Sequence, residues 1–383
     1  MVGEARSVRL VGEGRALAPL VLAVALVVEL CAGTLACSKE GSRRAASLRA
    51  GAGPGAAGCG GKDKVTAEGS TAQEQAMTFF NQAWAQDCAG KRVSYAPTGS
   101  GAGREQFIAG HVDFAASDSP LVADQIGPAA KRCDGNPAWD LPVLFGPIAL
   151  VYNLPGVPAL VVSSDALAKI FTGRITAWND PILVALNPGI ALPATNILPI
   201  YRSDSSGTTD NLQKYLTAAA PQSWAKGVGT EFLGGVGEGA TKSEGVVAAA
   251  RGAPGSIGYV ERGFADRAGM QYARIGTTGG AIPLTNDTAG KAVKSARLVA
   301  EGDDLVLDLN PTYTTQEPGA YPLVLASYDI VCSKGYDADT SRAIKSFLAV
   351  VAGDGQAALS PAGYVALPDN VRERLVTAID AMQ

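Results

Sequence analysis

From Val65 onward, short apolar runs alternate with segments whose apolar positions recur every three to four residues. TAQEQAMTFFNQAWAQDC places Ala76, Met77, Phe80 and Trp84 on one stripe, the spacing of a helix with one buried face. Tyr95 falls in a short strand, GREQFIAGH reads as a short helix and VDFAAS as a strand. LPVLFGPIALVYNL is a long buried run, and SSDALAKIFTG opens on a helix cap. NILPIYRSD, GSIGYVE and YPLVLASYDIVC read as further strands, with GVVAAARG and SRAIKSFLAVVAG as helices. Alternating strand and helix predicts α/β domains with mainly parallel sheets. A length of 383 residues predicts about two of them. No internal repeat is visible.

The first 36 residues have a different character. Arg6, Arg9 and Arg15 precede the apolar ALAPLVLAVALVVEL, the pattern of an export signal. Pro19 and Glu29 argue against a permanent span. Next comes GTLACS, a cysteine behind small residues, which marks Cys37 as a candidate for acylation although Thr34 stands where leucine is favoured. A lipid at that point tethers a chain to a membrane without spanning it. Residues 37–64 are rich in Gly, Ala and Ser and read as a flexible tether. The fold is expected to start near Val65.

Composition narrows the function. Hydrophobic content is 47%, ample for real cores, and the net charge of −4 lacks the basic footprint of a nucleic-acid binder. Beyond Cys37 remain Cys59, Cys88, Cys133 and Cys332. An even count in an exported chain predicts two disulfides, with three pairings open. The spacing fits no zinc site, and His111 is the only histidine.

Three stretches share one form, a strand end, a loop of Gly, Ser or Thr, then a helix start. They are AEGSTAQEQ, TGSGAGREQ and SDSSGTTDN. A helix start offers free N–H groups and partial positive charge, and glycine lets backbone approach a ligand, so each can cradle an anion. Each is also an ordinary cap taken alone: Ser70 with Gln73 fits a capping box, and Ser205 or Ser206 suits the third helix. Three together, at the carboxyl ends of strands where α/β sheets bind ligands, point to an anion site. Arg202 adds a planar fork suited to a tetrahedral oxyanion, with Asp204 placed to orient it. Asp118, after VDFAAS, is either a turn residue or an acceptor in the site.

With these residues the chain resembles the PstS-type phosphate-binding proteins of ABC importers. The resemblance runs from about Val65 to the C-terminus, through PTGSGAGREQFIAGHVDFAASDSPL, FGPIALVYNLPGV, IFTGRITAWNDPILVALNPG, RSDSSGTTDNLQKYL, GSIGYVE and YPLVLASYDIV. It implies a periplasmic-binding-protein-like fold of cluster II, two α/β lobes joined by a two-stranded hinge. Lobe one would take 65–147 and 326–383, lobe two 148–325. It implies phosphate held by the hydroxyls of Thr71 and Ser100, the Ala72 N–H, Arg202, Ser206, the Gly207 N–H and Thr208. Asp118 would be the single acceptor, with Ser70 and Asp204 supporting. Ala72 stands where relatives often carry an aromatic residue, and TKSEGVV replaces a more polar turn, so no contact is carried over from that loop. The implied protein is a monomer without cofactor or metal, lipid-anchored outside the cell membrane and serving membrane-embedded permease subunits. If the late strand runs antiparallel, as in this family, the favoured disulfides are Cys88–Cys133 and Cys59–Cys332.

Other classes make different demands. A Ser–His–Asp hydrolase would need His111, which sits at a helix end, and metal-dependent phosphatase chemistry lacks ligands. A binder of sulfate or molybdate would have no use for Asp118. An interaction lipoprotein with a vestigial site would not need the full donor set.

Overall fold

The computed structural model describes residues 58–383. The expected export signal, the acylation site Cys37 and the tether as far as residue 57 lie outside the described residues. β1 (Lys64–Gly69) leads through α1 (Glu74–Asp87) to β2 (Arg92–Pro97), α2 (Ser100–Ile108), β3 (Phe114–Ser117), α3 (Ala123–Arg132) and β4 (Ala138–Asn153). Then come β5 (Val161–Ser163), α4 (Ser164–Phe171), α5 (Pro181–Leu186), β6 (Leu198–Arg202), α6 (Gly207–Ala219), β7 (Glu238–Ala240), α7 (Lys242–Gly252), β8 (Ser256–Glu261) and α8 (Arg262–Arg267). β9 (Arg274–Thr277), β10 (Gly280–Ile282), α9 (Asn286–Val293), β11 (Arg297–Leu298), β12 (Leu307–Asp308) and α10 (Asn310–Tyr313) precede β13 (Val324–Cys332), α11 (Ala338–Ala352) and α12 (Asp369–Ala381).

Eight strands form one sheet in the order β2-β1-β3-β13-β4-β8-β6-β7. The expected parallel pairing holds on the flanks, where β1 joins β2 and β3, and β6 joins β7 and β8. The centre differs: β13 runs antiparallel to β3 and β4, and β4 antiparallel to β8. β4 causes this. It pairs with β13 as far as Pro147 and with β8 from Ile148, so one strand passes from one flank to the other. It is buried almost end to end, as its unbroken apolar run requires.

The helical stripe of α1 is buried as its spacing predicts, with Phe80 and Trp84 edge-on to Phe347 of α11. α2 starts three residues before the expected GREQFIAGH, at Ser100. Its early glycines look loop-like but answer to close packing: a Cβ on Gly101 would lie 2.0 Å from Ser205 Oγ.

The disulfides are Cys59–Cys88 and Cys133–Cys332, not the pairs favoured from the resemblance, and each spans 5.3 Å between Cα atoms. Strand register decides this. β1 and β2 are parallel with Lys64 opposite Arg92, so the cysteines shortly before each strand meet. Cys332 lies opposite Ala138 in the β13–β4 ladder, next to the turn that follows Cys133. The first bridge also moves the start of ordered packing ahead of Val65. Lys62 pairs with Asp113 at 2.5 Å, and its N–H donates to the Asp339 carbonyl. Among the described residues no helix is long and apolar enough to cross a membrane.

Candidate binding site

The three loop-to-helix turns converge at the carboxyl ends of β1, β2 and β6. Ser70, Thr71 and Ala72 link β1 to α1, Ser100 opens α2, and Ser206 caps α6 by accepting from the Thr209 N–H at 3.2 Å. Thr71 Oγ1 lies 3.1 Å from Arg202 Nη1, so the first loop meets the third. All the expected ligand-holding side chains are buried. Gly207 permits a close approach, because a Cβ there would come within 2.6 Å of both Asp118 Cβ and Ser100 Oγ. The first turn of α6, with its free N–H groups and positive end, thereby sits on Asp118. Thr208 Oγ1 is buried and bonds to no protein group. A buried hydroxyl left in that state costs about 1–3 kcal/mol, and Thr98 Oγ1 shares it.

Arg202 is held as its neighbour predicts. Nε and Nη2 form a bidentate pair with Asp204, at 2.7 and 2.5 Å, and the Lys242 N–H also donates to that carboxylate at 2.9 Å. Burial pushes the Asp204 carboxyl up, but the guanidinium and these donors outweigh it and hold it below the usual range. The remaining edge of Arg202 is left for Thr71 and Ser243.

Asp118 is the acidic centre. Ser70 Oγ lies 2.7 Å from both its oxygens, Ser327 Oγ 2.8 Å from Oδ1, and Ser100 Oγ 3.4 Å from Oδ2. Burial raises its carboxyl, and the hydroxyls of Ser70 and Ser327, the charge of Arg202 and the Ser100 hydroxyl oppose the rise. The expected capping box is half formed. Ser70 Oγ accepts from the Gln73 N–H at 3.2 Å, but the Gln73 side chain turns to Asp329 instead.

Ser243 and Ser327 escaped the sequence reading. Ser243, in the TKSEGVV segment from which no contact is carried over by the resemblance, places Oγ 2.7 Å from Thr71 Oγ1 and 3.3 Å from Arg202 Nη1. Nothing in a lone serine near a helix start signals that. Ser327 does have a signal: with Asp329 it forms a polar pair two residues apart, on one face of an otherwise apolar buried strand. His111 is exposed and pairs with Gln106 at 2.8 Å, with no bond to the site hydroxyls. Among the described residues no cluster of three or more His, Cys, Asp or Glu could hold a metal ion.

A cage of buried donors around one carboxylate, between two parallel flanks bridged by crossing strands, defines a class of ligand-binding protein. Residues 54–354 match the family model for a PBP superfamily domain. The phosphate-binding protein PstS 3 of Mycobacterium leprae is 45% identical over 90% of this chain and 94% of its own length. The phosphate-binding protein PstS of Haemophilus influenzae is 32% identical over 74% of this chain and 82% of its own. In fold, the chain is similar to the periplasmic phosphate-binding protein PfluDING bound with phosphate. The TM-score is 0.65 at 22% identity, covering 82% of this chain and 93% of that one. The chain belongs to the PstS family of phosphate-binding proteins within that superfamily.

Proposed function

We propose that this chain binds inorganic phosphate and delivers it to the membrane-embedded permease subunits of an ABC importer. The observation that carries the reading is the composition of the cage: buried hydroxyls, helix-start N–H groups and one guanidinium surround a single buried carboxylate, Asp118. A fully ionised oxyanion needs only donors. An oxyanion that keeps a proton needs one acceptor as well, and Asp118 supplies it. Thr71, Ser100, Ser206 and Thr208 would donate through hydroxyls, Ala72 and Gly207 through backbone N–H, and Arg202 through its fork. Ser70 and Asp204 would hold Asp118 and Arg202 in place.

Two lobes would close on the ion, one of residues 65–147 and 326–383, the other of 148–325. The support is the change of partner along β4 at Pro147 and Ile148, opposite the start of β13. Each flank contributes donors that neither completes alone, so phosphate favours the closed arrangement. The chain would work as a monomer outside the cytoplasmic membrane, exported by its first 36 residues and anchored through a lipid on Cys37, for which the sequence around GTLACS is the support. Small-angle scattering tests the clamp. Saturating phosphate is expected to reduce the radius of gyration of the stripped protein, and identical profiles with and without phosphate contradict the two-lobe reading.

A further inference from the structure

The hydrogen bonds on Asp118 continue to a second buried carboxyl. Ser327 Oγ lies 2.8 Å from Asp118 Oδ1 and 2.9 Å from Gln73 Oε1, and Gln73 Nε2 donates to Asp329 Oδ1 at 2.7 Å. Asp118, Ser327, Gln73 and Asp329 thus form one chain, and all four are buried. Asp329 Oδ2 bonds to nothing, and no lysine or arginine among the described residues pairs with this carboxyl.

Such a chain can complete its own links in two ways, each using one proton. In one, Asp118 carries the proton and donates to Ser327, Ser327 donates to Gln73 Oε1, and Gln73 Nε2 donates to an ionised Asp329. In the other, Asp329 carries the proton and donates to Gln73 Oε1. The amide, turned by half a rotation, donates to Ser327 Oγ, and Ser327 donates to an ionised Asp118. The structure sets the Gln73 amide as in the first arrangement; the two amide atoms exchange places by half a rotation, so the same side chain also reaches the second.

We propose that Asp329 is a positioning residue that holds this proton and, through Gln73 and Ser327, leaves Asp118 ionised as the acceptor for the P–OH group of the bound ion. The inference rests on the phosphate reading above. Surroundings separate the two carboxyls. Asp118 has the Ser70 and Ser100 hydroxyls and the charge of Arg202 to favour its anion. Asp329 has only the Gln73 amide, and burial pushes its carboxyl up to about 7. The elements packed against it offer no compensating cation. β4 places Leu141 opposite, α1 presents Gln73, β2 presents the Tyr95 phenol, Asp118 follows β3, and Asp210 of α6 is already paired with Lys214.

The consequence is a pH dependence of known sign. When Asp329 loses its proton, a second negative charge is buried beside Asp118 and the bound anion, so phosphate affinity falls as pH rises. Asp329→Asn is neutral throughout, and its amide can donate to Gln73 Oε1. The full chain and this variant are titrated with phosphate from about pH 6 to about pH 8.5, and the ratio of variant to wild-type Kd is followed, in which the titration of phosphate itself cancels. One proton contributes up to tenfold per pH unit, so the ratio is expected to fall about tenfold across that range. A ratio that does not change with pH overturns the inference, since a merely structural role shifts affinity equally at all pH. A second measurement needs no variant: at the alkaline end, calorimetry in buffers of different ionisation enthalpy should show proton uptake as phosphate binds, and absence of uptake overturns the inference too. Wild-type protein that binds no phosphate at any pH overturns both this inference and the phosphate reading; wild-type binding with a flat ratio overturns this inference alone.

Discussion

Sulfate at a thousand-fold excess is expected to leave labelled phosphate on the wild-type protein and to displace it from the Asp118→Asn variant. The two ions are nearly alike in size and shape, so donors alone separate them poorly. Near neutral pH phosphate keeps at least one proton and sulfate has none. Ser70, Ser327 and Ser100 supply hydroxyls to Asp118, and as an anion it would accept a hydrogen bond from a P–OH group. Facing sulfate, it meets only lone pairs in a buried contact between like charges. Sites built on a required ligand hydrogen bond reject analogues lacking it by roughly 10⁴–10⁵. In the asparagine variant an N–H faces the ion, the repulsion disappears, and the preference should shrink by most of that factor. Competition binding with labelled phosphate measures both proteins, and displacement from the wild type would show that Asp118 is not the selector.

Arg202→Ala should weaken phosphate binding by roughly 1.5–3 kcal/mol, the typical loss for a charge-assisted donor. That is a tenfold to more than hundredfold rise in Kd. The guanidinium is buried, aimed by Asp204 and directed at Thr71, so its charge acts where water cannot screen it. Arg202→Lys should recover little, because an ammonium cannot hold the Asp204 pair and reach the ligand together. The fold should survive, since Asp204 keeps its bond from the Lys242 N–H and lies near solvent. Calorimetry with circular dichroism separates the effects, and unchanged affinity in a folded variant would reduce Arg202 to the partner of Asp204.

Much of this site is legible in sequence because its chemistry is local. Hydroxyls and glycine at a strand-to-helix turn need no distant partner to be noticed, which is why the three loops stand out, and Arg202 announces itself by its aspartate two residues on; Thr71, Ser100, Ser206 and Thr208 are singled out as donors by the family resemblance. Ser243 and Ser327 reach the site only through residues far along the chain. Ser243 touches Thr71 across 172 positions and Ser327 touches Asp118 across 209, and no local pattern encodes such distances. The same limit explains the disulfides. Which cysteines meet depends on the register of β1 against β2 and of β13 against β4, which periodicity leaves open. It also explains the centre of the sheet: the apolar run of β4 predicts a buried strand equally well whether its neighbours are parallel or antiparallel. The start of α2 is hidden because SGAG has the composition of a loop, and only the contacts of Gly101 with Ser205 show why glycine is required inside a helix.

Calorimetric titration of phosphate into protein stripped of endogenous ligand decides whether the buried cage around Asp118 is a phosphate site. One phosphate per chain is expected to bind saturably, with no comparable heat from sulfate under the same conditions. A titration that shows no phosphate binding, or equal binding of both ions, would contradict that assignment.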